Sequence, residues 1–224
     1  MIEVARQTYP DRGTLMRDLA ELVADQLRAA HAAKDQATLA VPGGTTPGPF
    51  LEALSEADLA WEDVRVLPTD ERLVSELSAR SNLRLIRESL GRNRAAEARI
   101  LALHEPLLGA MTARVAAALP IDVLVLGMGT DLHTASLFPD APELAAALAP
   151  DAPVLVEVHP ASQPEARLTL SAPVIRAASV IHLLITGEDK LAALERALVD
   201  GPAAEAPVRV ALTAPCPVTV HYAA

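Results

Sequence analysis

The run IDVLVLG, residues 121–127, decides how the rest of this chain is read. Four branched apolar residues between an aspartate and a glycine are too few for a helix. They suit a short strand buried on both faces, the kind found in parallel sheets. Behind it comes MGTDLHTASLFPD, residues 128–140, in which a glycine turn, Asp131, His133 and the hydroxyls of Thr134 and Ser136 crowd together. In open parallel sheets ligands bind outside the carboxyl ends of the strands. A polar loop at this point is therefore a candidate site as well as a connection.

The same alternation repeats in both directions. From Thr14 to about Ala33, the residues Leu15, Leu19, Leu22, Val23 and Leu27 recur at helical spacing, with Thr14 placed to cap the helix. ATLAV (37–41) runs through the loop PGGTTPG (42–48) into another helical pattern, and VRVL (64–67) runs into the charged segment TDERLV (69–74). SNLRLIRESLG (81–91) reads as a helix capped by Ser81 and stopped by Gly91. ARILAL (98–103) reads as a strand, PLLGAMTARVAAALP (106–120) as a helix opened by proline, and DAPELAAALAPDAP (140–153) as a surface helix with turns. PVLVEVHP (153–160), RLTLSAPVI (167–175) and SVIHLLITG (179–187) are apolar runs, followed by the helix EDKLAALERALVDG (188–201) and a last strand, CPVTVHYA (216–223). Strands alternating with helices predict an α/β fold, Rossmann-like, with a largely parallel sheet flanked by helices. No repeat, low-complexity tract or linker interrupts it, so residues 1–224 read as a single domain.

Composition narrows the partners. Half the residues are hydrophobic (51%) but only 2% are aromatic, so the core must be built from Ala, Leu, Val and Ile. A net charge of −10 argues against nucleic acid, whose phosphates need a basic face, while leaving room for a local cationic pocket. The single cysteine, Cys216, excludes an internal disulfide and a cysteine-based zinc cluster. With no apolar leader in MIEVARQTYPDRG and no run of 18 apolar residues, the chain reads as soluble and cytoplasmic, without a membrane partner.

Three loops carry the chemistry. In PGGTTPG, Gly43 and Gly44 allow close backbone approach and Thr45 and Thr46 offer hydroxyls ahead of a helix, ingredients of an anion site and equally of an ordinary turn. In TDERLV, Arg72 is able to pair with a phosphate through two parallel N–H groups. In GMGTDLHTASLFP (127–139), Asp131 stands two residues before His133, where a carboxylate can orient an imidazole and stabilise its charged form. The GMG start lacks the third glycine of a dinucleotide fingerprint, so NAD is rejected, and Ser136 lacks the GxSxG elbow of a hydrolase nucleophile. The remaining histidines are scattered without metal-ligand spacing, and no metal is assigned. Arg167 and Lys190 are two further cations that either reach the crevice or sit on the surface.

Taken in order, these segments resemble one family, the 6-phosphogluconolactonases. PGGTTP is similar to the family's SGGSTP-type loop, and TDERLV with Ser81 and Asn82 to its DER…SN segment. GMGTDLHTASLFP is similar to GxGxDGHTASLFP, and RLTLSAPVI…LLITGEDK to the RxTL…GxxK stretch, so the resemblance runs from about residue 40 to residue 190. It implies the α/β fold shared with glucosamine-6-phosphate deaminases, no cofactor, and a small phosphosugar lactone as the molecule bound by a monomer or homodimer. It implies His133 as the base that activates water, Asp131 as its orienting acid, and Gly43, Gly44, Thr45, Arg72, Arg167 and Lys190 as the substrate-binding set. The rival deaminase reading needs an acid a few residues past the histidine, where this chain has Phe138. A third reading is a catalytically silent sugar-phosphate-binding protein. The departures from the pattern are Pro42 for serine, Ser75 for proline, and Leu132 for the glycine before the histidine. If position 132 requires a positive φ, leucine there costs about 1 kcal/mol or more.

Overall fold

The structure is a computed structural model and describes residues 1–103 and 108–224. Its strands are β1 (Ala5–Thr8), β2 (Ala37–Val41), β3 (Val64–Pro68), β4 (Asp70–Arg72), β5 (Arg99–Ile100), β6 (Val123–Leu126), β7 (Leu155–Val158), β8 (Arg167–Leu170), β9 (Val180–Thr186) and β10 (Val218–Ala223). Its α-helices are α1 (Arg12–Lys34), α2 (Gly48–Leu54), α3 (Asn82–Ser89), α4 (Leu108–Ala116), α5 (Leu144–Leu148), α6 (Ala172–Arg176), α7 (Glu188–Ala197) and α8 (Arg209–Leu212). None of the described helices is long and apolar enough to cross a membrane.

Seven strands form one sheet in the order β1-β10-β9-β6-β2-β3-β5, with every neighbouring pair parallel. The opening run is its middle strand. Leu124 and Leu126 point into one core and Val123 and Val125 into the other, so the strand is buried on both faces, as its unbroken apolar run predicts. One layer is built on α1 and α2, with Leu15, Leu19, Val23 and Leu27 of α1 buried against the sheet. The opposite layer gathers α4 through α8. The chain winds outward from β2 to β3 and β5 on one side, and from β6 to β9 and β10 on the other, where β1, the first strand, forms the edge. The reversal lies between β2 and β6, joined through Leu39 opposite Val123 and Ala40 opposite Leu124. The loops leaving these two strands part there and open a crevice.

Several expectations are corrected. Helix α1 is capped by Asp11, whose carboxylate accepts from the Thr14 backbone N–H at 2.8 Å and its hydroxyl at 2.9 Å. Thr14 is thus a donor to the cap, two residues inside the helix. The charged TDER segment is partly a strand: β4 pairs antiparallel with β8, and β8 with β7, in a second sheet of three strands. The apolar runs at 155–158 and 167–170 therefore leave the parallel sheet. Ser81 does cap α3, accepting from Arg84 N at 3.1 Å, and Gly91 N closes onto Ile86 O at 3.1 Å. The proline expected to open α4 lies outside the described residues. The exposed strand ARQT (β1) carries no apolar signal, and the sequence pattern does not predict it.

Candidate active site

The loops after β2, β3 and β6 meet around a cavity of about 220 Å³. Gly43, Gly44, Thr45, Arg72, His133, Arg167 and Lys190 all line it. Asp131 is not part of the lining. It stands behind His133, its Oδ1 2.6 Å from Nδ1 of the imidazole. With Nδ1 engaged, Nε2 is the ring nitrogen available to a ligand in the cavity that His133 lines.

The dyad is shaped by its glycines. A Cβ on Gly129 would fall 2.0 Å from Asp131 Oδ1 and 2.2 Å from His133 Nδ1, so the second glycine of GMG makes room for the pair rather than for a dinucleotide. The turn closes through Gly129 N to His133 O at 2.9 Å and Leu132 N to Gly129 O at 3.0 Å. Closing it drives Leu132 to φ +71°, the left-handed region, and Ala135 to +48°. Position 132 therefore does require a positive φ. The two hydroxyls that follow the histidine are structural: Thr134 Oγ1 donates to Gly127 O at 2.8 Å, and Ser136 Oγ to Asp70 at 2.6 Å. Ser136 is fully buried and bonded away from the histidine, which removes it as a nucleophile.

The TDER segment divides its labour by residue. Glu71 is buried and accepts from the backbone N–H groups of Arg72, Asn82 and Leu83 and from the Ser81 hydroxyl, at 2.7–3.1 Å. It ties the strand to the free N–H groups of α3. Arg72 faces the cavity, held by one guanidinium bond to Arg80 O at 2.6 Å. Asn82, noted in the sequence as part of the SN pair but not placed in the binding set, donates from Nδ2 to Asp70 O at 2.8 Å and lines the cavity beside Gly43. A Cβ on Gly43 would lie 1.8 Å from Asn82 Oδ1, so glycine at 43 lets these two loops interlock. Gly44 adopts φ +92°, which a side chain would strain.

The charges are unequal. Among the described residues, Arg72, Arg167 and Lys190 face a single lining carboxylate, Asp70, so an acidic protein carries a cationic pocket. Arg167 is buried, 3.8 Å from Asp70 and 2.6 Å from Gln163 Oε1. Lys190 donates from Nζ to Met128 O at 2.6 Å; burial pushes its ammonium below the usual lysine range, and Asp131 pulls it back up in part. Burial raises the Asp131 carboxyl, but the hydrogen bond and charge of His133 outweigh it and hold the group below the usual carboxylate range. Asp131 is therefore ionised at neutral pH. Phe138, which the sequence marks only as not being an acid, stacks on the imidazole with ring centroids 4.0 Å apart. Its position five residues after the histidine gives no sign of that contact.

The model of a family described as glucosamine-6-phosphate isomerases/6-phosphogluconolactonase matches residues 10–219. A 6-phosphogluconolactonase of Mesorhizobium japonicum is 45% identical, the match covering 96% of this chain and 93% of that protein. One of Pseudomonas aeruginosa is 43% identical, over 98% and 94% of the two chains. The crystal structure of a 6-phosphogluconolactonase from Shewanella baltica superposes with a TM-score of 0.96 at 35% identity, covering 100% of both chains. Matched along nearly its whole length in sequence and in fold, the chain belongs to the glucosamine-6-phosphate isomerase/6-phosphogluconolactonase family.

Proposed function

We propose that this protein hydrolyses 6-phospho-D-glucono-1,5-lactone to 6-phospho-D-gluconate, the lactone-opening step of the oxidative pentose phosphate pathway. The observation that carries the reading is the Asp131–His133 pair at 2.6 Å on the wall of a cavity lined by three cations. A sugar lactone is an activated ester, so water and one base suffice. With Nδ1–H donated to Asp131, Nε2 of His133 takes a proton from water as the oxygen attacks C1. The C1–O5 bond then breaks, and the imidazolium returns the proton to O5. Asp131 stabilises the imidazolium between the two steps, and a cation of the cavity or the loop amides meet the developing oxyanion. Arg72, Arg167 and Lys190, with Gly43, Gly44 and Thr45, hold the phosphate and keep C1 near the base. The Nε–H groups of Arg72 and Arg167 lack a partner among the described residues, which supports their use by an anion.

The deaminase reading finds no support at position 138, where an apolar ring lies against His133 instead of a carboxylate. The test is hydrolysis of freshly generated lactone, measured against its spontaneous rate. The wild-type chain accelerates it, and His133→Ala loses about 10²–10⁴ in kcat. Acceleration that survives in His133→Ala overturns the role of the histidine. No acceleration, with phosphogluconate still bound, selects the silent binding protein. Ammonia release from glucosamine 6-phosphate selects the deaminase.

A further inference from the structure

Phe138 is 1% exposed, and its ring lies 4.0 Å from the imidazole of His133 with the planes 24° apart. The guanidinium carbon of Arg167 lies 5.1 Å from the centre of the same ring. The backbone on either side of Phe138 is pinned. Leu137 N donates to Thr134 O at 3.0 Å, Ser136 is held by Asp70 and by Thr169 Oγ1, and Phe138 O accepts from Ala141 N at 3.1 Å. The ring is therefore a fixed surface. His133 is less secure, because its hydrogen-bond partner Asp131 has a side chain 45% exposed and sits on the same turn. The Asp131–His133 bond directs Nδ1 but leaves the imidazole free to pivot about that contact.

We propose that Phe138 is a positioning residue for the hydrolysis: its ring is the shelf that fixes the plane of the His133 imidazole and so aims Nε2 at the attacking water. The inference rests on the reading of His133 as the base. Aiming matters because a base transfers a proton efficiently only when its lone pair lies along the hydrogen bond to the water. The shelf has a second effect. The face of an aromatic ring is electronegative and favours the imidazolium formed on proton transfer. The other charges around the imidazole are Asp131, which favours that cation, and the cavity's Arg72, Lys190 and Asp70-paired Arg167, which oppose it.

The experiment compares wild type, Phe138→Leu and Phe138→Met, replacements that keep an apolar side chain and remove the π face. Steady-state hydrolysis across pH is combined with proton NMR of the His133 ring. In wild type the ring proton on Cε1 is displaced from its free-histidine position by the phenyl ring current. In the variants that displacement is lost, kcat falls about tenfold and KM stays within twofold. A kcat within twofold of wild type overturns the proposal. So does a loss expressed in KM alone, which would make Phe138 a support for Arg167 and the phosphate. An unshifted Cε1 proton in the wild type overturns it without any variant, so misfolding of both replacements leaves it falsifiable. Failure of the wild type to hydrolyse the lactone at all rejects the function, and with it the positioning role, even where the NMR shift shows that the stack exists.

Discussion

Leu132 occupies a left-handed backbone position, φ +71°, where glycine would be free of strain. The penalty for a side chain there is about 1–2 kcal/mol. It is offset because the leucine side chain packs against the larger core cluster, and partial burial of a leucine contributes about 1 kcal/mol or more. Glycine would also make the unfolded chain more flexible, costing up to about 1 kcal/mol. Leu132→Gly is therefore expected to gain nothing: a stability change between zero and a loss of about 1 kcal/mol in urea unfolding, with kcat within a few-fold of wild type. A stabilised variant would mean that strain outweighs packing. The residue that breaks the family pattern is thus a core contact, and the dyad beside it keeps its 2.6 Å geometry.

Among the elements, the interlock between the loop after β2 and the N-terminus of α3 holds the cationic side of the cavity together. Asn82 donates to Asp70 O on one side and fills the space beside Gly43 on the other. Gly43→Ala places a methyl carbon 1.8 Å from Asn82 Oδ1, so one of the loops must move. The expected result is a tenfold or greater rise in KM. Asn82→Ala loses one hydrogen bond and has a smaller effect, about threefold. The double variant Gly43→Ala/Asn82→Ala recovers much of the Gly43→Ala loss, since truncating Asn82 vacates the space the methyl needs. Additive losses in this cycle would show that Gly43 is required for backbone freedom or ligand approach and that the two loops do not register each other. The buried Glu71 carboxylate, satisfied by four donors, supports the same junction from below.

At the scale of the whole molecule, a buried histidine pair outside the cavity lining makes stability depend on pH. Tyr9, His221, His182 and Gln26 form a hydrogen-bonded chain at 2.8, 2.9 and 2.8 Å, joining the end of β1, the neighbouring strands β9 and β10, and helix α1. The donors and acceptors match when both histidines are neutral: Tyr9 donates to His221, His221 to His182, and His182 to Gln26. A proton added to His182 sets its Nδ1–H against the Nε2–H of His221, and one added to His221 sets its Nδ1–H against the Tyr9 O–H. Burial lowers His182 to about 4, and burial together with the neighbouring His182 lowers His221 to about 3. Both values lie below the unfolded value near 6.5, so the unfolded chain binds more protons between them and stability falls as pH drops through that window. From pH 7 to pH 5 each histidine contributes a loss of about 2 kcal/mol. Urea unfolding at the two pH values should show that loss in wild type and roughly half of it in His221→Gln. An equal pH dependence in the two proteins would place the acid sensitivity elsewhere.

The fold class was legible because its signal is local. An unbroken apolar run such as IDVLVLG, followed by a glycine turn and flanked by helical patterns, implies a strand buried on both faces whichever neighbours it has. The candidate site was legible for the same reason: Asp131 and His133, and Gly43 to Thr45, are each contiguous, and strand ends in such sheets collect ligands. Tertiary structure decided what depends on distant partners. The segment DER is too short and too charged to announce a strand, and it becomes one only because β8 lies beside it, almost a hundred residues on. The exposed β1 is defined by pairing with the last strand of the chain. The placing of Arg167 and Lys190 beside Arg72, the lock of Asn82 into Gly43, and the stack of Phe138 on His133 depend likewise on loops brought together across the sheet. Local pattern records how each segment buries its own side chains, whereas the geometry between segments is set by packing, which no single stretch of sequence contains.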